Sequence, residues 1–124
     1  MLLRFTASGG VATGDEIAGR MRGLYDRPVS QLARWIVDRE VVNITWGTVI
    51  LLPVFQFEDP GMTRRPVVKD VLSELRACMD DWACALWFAT PNAWLASAIP
   101  VDLLARDPSA VHEASRADRF AILG

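Results

Sequence analysis

Apolar positions along this chain keep a helical period, switch to a strand period near residue 42, and return to a helical one after residue 66. Ile17, Met21 and Leu24 stand at i, i+4 and i+7, one stripe of a helix that starts near Thr13-Gly14-Asp15 and weakens at Gly23. A second helix opens at Pro28, where a missing N–H costs nothing. Its stripe is Val29, Leu32, Ala33, Ile36 and Val37, with Trp35 off the centre and Gln31, Arg34 and Asp38 facing outward. Val42, Ile44 and Trp46 then alternate with Asn43 and Thr45, the pattern of a half-buried strand. Gly47-Thr48 forms a turn with glycine first, as a type II′ hairpin requires, and Val49 to Leu52 returns. Pro53 removes a ladder donor, so pairing ends or runs along an edge there. A hairpin this apolar needs helices over it.

After the turn Glu58-Asp59-Pro60-Gly61, Pro66 opens a third helix with Val68, Val71, Leu72, Leu75 and Met79 on its stripe. Asp80-Asp81 caps a fourth, holding Trp82, Leu86 and Trp87. Three short pieces follow. Asn92 caps a turn with Trp94 and Leu95, and Pro100 opens one with Leu103 and Leu104. Asp107-Pro108 caps and opens a last helix with Val111, Ala114 and Phe120, Ile122 being a further candidate. The expected fold class is mostly α (α+β): a compact helical domain with one β-hairpin between helices two and three. The expected organisation is a flexible lead-in over 1–13, two helices plus the hairpin over 14–57, and a helical region over 58–124, all in one compact domain.

Composition narrows the function classes. With 52% hydrophobic and 23% charged residues, the 124-residue chain is globular in character. Five tryptophans are many for this length, which points to some indole area at the surface or at a subunit contact. The net charge of -2 comes with no basic block, so charge alone shows no nucleic-acid footprint. Two cysteines and one histidine cannot fill a four-ligand zinc site, and no cofactor is expected. Cys78 and Cys84 read as apolar helix residues in a reducing compartment. The longest apolar run, Val49 to Phe55, is broken by Pro53 and far short of a membrane span. The N-terminal apolar run is too short for a signal peptide. A cytoplasmic protein without a membrane partner is expected.

Catalytic chemistry finds little support. His112 lies on an ordinary terminal helix, and the chain has no nucleophile elbow. The carboxylate pairs Asp15-Glu16 and Asp80-Asp81 suit helix starts, and Glu58-Asp59 suits a turn. The expectation is a protein that is not an enzyme. Two binding readings remain. Two helices followed by a hairpin would suit a winged-helix-like DNA reader, with Arg34 and Arg39 facing a groove and Arg20, Arg22 and Arg27 near phosphates. Asp26, Asp38 and Glu40 dilute that patch, and the hairpin tip carries no positive charge. The aromatic C-terminal third suits a protein partner, with Trp94, Arg119 and Phe120 as its leading contacts.

Three segments carry a resemblance: Leu52-Pro53-Val54-Phe55-Gln56-Phe57; the helix from Pro66 to Leu75; and Asn92-x-Trp94-Leu95 leading to Pro100-x-Asp102-Leu103-Leu104 and a final helix near Asp107. Over roughly residues 50–124 the chain resembles the toxin-binding domain of the Xre/MbcA/ParS antitoxin family. The resemblance implies a bacterial antitoxin that binds a cognate protein toxin, often an NAD-consuming one, and occludes its active site. It also implies homo-oligomers and operator binding. The positions it carries over are Trp94, Leu95, Pro100, Asp102, Leu103 and Leu104, with the terminal helix. Two features depart from the family pattern. Only two convincing helices precede the match, and Ala98-Ile99 stands where a small residue, often glycine, is usual.

Overall fold

A small antiparallel sheet divides the apolar side chains into two cores. The computed structural model describes residues 2–124. Strands β1 (Val11–Thr13), β2 (Ile44–Trp46) and β3 (Val49–Pro53) lie in the order β1-β3-β2. Ala12 faces Leu52 across one pair, and Ile44 faces Leu51 across the other. Side chains alternate faces along a strand, so the two pairs point to opposite sides. Ala12 and Leu52 enter the cluster formed with Ile17, Met21, Leu32 and Trp35. Ile44 and Leu51 belong to the other, with Val68, Val71, Leu75, Phe88 and Val111. The class is mixed α+β, with helices predominating.

Helices α1 (Gly14–Met21) and α2 (Pro28–Val37) cover one side of the sheet. A reciprocal cap starts α1: Glu16 N donates to Thr13 Oγ1 at 3.1 Å, and Thr13 N donates to Glu16 Oε1 at 3.4 Å. On α2 the buried face differs from the one the spacing predicts. Leu32 and Trp35 are buried, whereas Val29 and Val37 are 70% and 80% exposed. The indole decides the rotation, since it offers the largest apolar area on the helix. Tyr25 meets Trp35 edge-on at 5.6 Å, and the Arg64 guanidinium lies 4.4 Å over its ring.

The expected flexible lead-in is folded instead, from Leu2 onward; Met1 lies outside the described residues. Leu2–Ser8 form a 3-10 helix that buries Phe5, whose ring stacks on Phe55 at 6.0 Å. β1 follows as the third strand, on the side of β3 away from β2. Local composition hides both facts, because each contact is made with chain beyond residue 48.

Past the sheet, a 3-10 turn (Val54–Gln56) leads to the short ladder of β4 (Phe57–Glu58) and β5 (Thr63–Arg64). Gln56 is fully buried in that turn. Val42 N donates to its Oε1 at 2.7 Å, and its Nε2 donates to Val42 O at 2.8 Å and Pro53 O at 3.0 Å. Helices α3 (Pro66–Leu75), α4 (Asp81–Phe88), α5 (Pro100–Leu103) and α6 (Pro108–Leu123) complete the second core. Asp80 and Asp107 cap α4 and α6 through the backbone N–H groups of Ala83 and Ala110. On α6 the buried residues are Val111, Ala114 and Ser115, all in its first half.

Candidate functional site

The turn from Thr90 to Ile99 is organised by one asparagine. Asn92 Oδ1 accepts from Trp94 N at 2.9 Å, capping the 3-10 turn Ala93–Leu95. Asn92 O accepts from Ser97 N, and Asn92 N donates to Ala98 O at 3.0 Å. The loop so closed holds Ala96 and Ser97 at φ 53° and 69°, the left-handed region that disfavours side chains. This tight turn directs the Trp94 side chain outward, 60% exposed.

The Asp118 carboxylate, on the second half of α6, fixes that indole. Its Oδ1 accepts from Trp94 Nε1 at 2.9 Å, and its Oδ2 accepts from Trp87 Nε1 at 2.7 Å and Asn92 Nδ2 at 2.9 Å. Three elements therefore meet on one side chain: α4, the Asn92 turn and α6. Beyond it α6 carries Phe120 (75% exposed), with Ile122 and Leu123 also exposed. On the neighbouring face, Arg119 Nη1 donates to Glu74 Oε2 of α3 at 3.1 Å, and His112 Nε2 lies 3.7 Å from Glu74 Oε1. Arg119 is thus tied to its own fold while remaining exposed.

The residues that the sequence singles out for partner contact divide into two groups. Trp94, Arg119 and Phe120 are exposed around the end of α6, and Leu95 is half-buried against the core. Pro100 and Leu104 are buried, so they contribute packing rather than contact area. Leu103 is half-buried against the same core. Asp102 is exposed, but it borders a separate depression with Ala7, Ser8 and Arg65. Asp118, Trp87 and the side-chain amide of Asn92 were not among the expected site residues. Only the capping role of Asn92 has a local signal, and nothing near Asp118 in sequence announces two indoles as its partners.

The arginines of the DNA reading also divide. Arg20, Arg22, Arg27 and Arg34 are exposed and make no ion pair among the described residues. Arg39 is turned inward and does not face a groove. It has φ 55°, and its guanidinium donates to Asp81 Oδ1 at 2.9 Å, Met79 O at 2.6 Å and Arg76 O at 3.2 Å. It fastens the end of α2 to the start of α4.

A second exposed apolar group lies at the end of the sheet, where Trp46 stacks on Trp82 at 6.1 Å beside Val49 and Ile50. Burial pushes the Cys84 thiol up to about 11, with the Arg39 guanidinium pulling the other way. Among the described residues no helix is long and apolar enough to cross a membrane. Compared with models of protein families, with curated proteins and with solved structures, the chain shows no match.

Proposed function

We propose that the protein is a non-enzymatic binding protein: an antitoxin-like partner that neutralises a protein toxin by steric blockade, in the bacterial cytoplasm. The observation that carries this reading is the outer half of α6. It bears exposed Phe120, Ile122 and Leu123, and Asp118 on the same helix holds the polar edge of exposed Trp94. Aromatic side chains supply much of the energy of protein interfaces. One held in place before docking loses less freedom on binding. The resemblance supplies the partner class, a protein toxin of a kind that often consumes NAD, and the expectation of homo-oligomers.

The test is co-expression with the proteins encoded in the adjacent reading frames, any that arrests growth on its own serving as the candidate toxin. The full chain restores growth and co-purifies with the toxin; a chain ending at Arg119 does neither. Tight capture by the shortened chain would overturn the assignment.

A small winged-helix-like DNA-binding regulator is the second reading, favoured by the four exposed arginines of the α1–α2 region, which make no ion pair among the described residues. Counterion release makes binding through phosphate contacts weaken steeply with salt. Arg34→Ala would then lower affinity in a salt titration, and absence of DNA association at low salt would remove this reading.

A further inference from the structure

Along the outer side of α4 runs an open groove of about 350 Å³, and no expected site residue lies in it. Met79, Ala83 and Leu86 make its wall, at positions i, i+4 and i+7. Trp87, Asn92 and Asp118 line it as well. The groove therefore combines an apolar wall with a carboxylate.

The state of that carboxylate matters most. Trp87, Asn92 and Trp94 give it three N–H bonds, all from uncharged donors. They orient the Asp118 side chain without cancelling its charge. Among the described residues no cation pairs with it. Arg116 is engaged by Glu113 at 3.2 Å and Arg119 by Glu74 at 3.1 Å. Arg4 reaches the lining residue Thr90, donating to its Oγ1 at 3.4 Å, and makes no ion pair with Asp118. Next to Met79, Asp80 adds a second carboxylate; it accepts from Ala83 N and has no cation on it among the described residues. A carboxylate has about four acceptor directions. Three are used here, and the one left is on Oδ1.

We propose that this groove receives a lysine side chain of a partner protein, its methylene stem along Met79, Ala83 and Leu86 and its ammonium on Asp118 Oδ1. The inference rests on the reading of this chain as a protein-binding module. A long apolar stem ending in a charge matches a long apolar wall ending in a counter-charge. Lysine fits better than arginine, because a single open acceptor direction cannot satisfy the paired donors of a guanidinium fork.

The indole N–H signals of Trp87 and Trp94 report on the site directly in ¹⁵N-labelled protein. The probes are Nα-acetyl-lysine methylamide and the same compound acetylated at Nζ. The free amine shifts both signals saturably and loses affinity with added salt. The acetylated probe binds at least about tenfold more weakly, the scale of one charge-assisted contact. Asp118→Asn abolishes the preference for the amine. Because that change also touches the three N–H bonds, Ala83→Trp provides a second variant. It fills the wall without altering Asp118, and it blocks both probes. Equal shifts from the two probes, or shifts confined to Trp46 and Trp82, would overturn the proposal. Amine recognition without toxin capture would leave the groove and remove the antitoxin reading. Toxin capture without amine recognition would do the reverse.

Discussion

Single side chains do much of the joining in this fold. Gln56 is the clearest case, since it makes three hydrogen bonds to the backbone of Val42 and Pro53 inside the core. Gln56→Leu keeps the volume but strands Val42 N–H and two carbonyls. The expected loss is about 2–3 kcal/mol of unfolding free energy, measured by urea titration. Ala96 and Ser97 present the opposite case, with side chains in a backbone region that suits glycine. Ala96→Gly relieves that strain, offset in part by the freedom glycine gains in the unfolded chain. A net gain of about 0.5 kcal/mol is expected, read as a higher melting temperature. The Cys84 thiol tests burial by titration. Its folded value of about 11 lies above the ordinary 9.0, so the unfolded chain gives up this proton first. Stability is therefore unaffected by this group below pH 9 and falls as pH rises from about 9 to about 11. Cys84→Ala removes that alkaline loss. At pH 8, iodoacetamide labels the half-buried Cys78 in the native protein, and Cys84 only after unfolding, as mass spectrometry of the two peptides would show.

Among the elements, α6 has two halves with separate duties. Val111, Ala114 and Ser115 pack against the core, whereas Phe120, Ile122 and Leu123 face outward. Ending the chain at Arg119 therefore leaves the melting temperature within a few degrees of the full chain. Deleting from Pro108 removes core area worth several kcal/mol and leaves no cooperative transition. A native thermal transition in the second truncation would show that α6 is not part of the core. The helix starts were legible in sequence because their signals are local: Pro28, Pro66, Asp80 and Asp107 each act within one turn. The buried face of α2 was legible only at Leu32, because Trp35 is held by Tyr25 and Arg64 from outside the helix. Phe5 was hidden for the same reason, its partner being Phe55. The site was legible only in part. Exposed Trp94 and Phe120 could be named from composition and resemblance, but Asp118 gathers donors 24 to 31 residues away and has no local signature.

At the scale of the whole molecule, the question is whether two cores behave as one. Three connections cross between them. β3 sends Leu52 into one core and Leu51 against the other. Gln56 joins the chain leaving α2 to the chain leaving the sheet. Arg39 fastens the end of α2 to Asp81 and to the carbonyls of Arg76 and Met79. Opening either core alone would expose one face of the shared sheet and strand buried polar groups, so a half-folded state gains little entropy for a large loss of burial. The two cores should unfold together. Trp35 reports one and Trp87 the other. Incorporating 5-fluorotryptophan resolves the two indoles by ¹⁹F NMR during a urea titration, and their midpoints should coincide. Leu52→Ala should then lower both midpoints together, for a loss of about 2–5 kcal/mol of unfolding free energy, as is usual for a large-to-small change in a core. A Trp35 transition that moves while that of Trp87 stays fixed would mean that the sheet separates two independent units rather than coupling them.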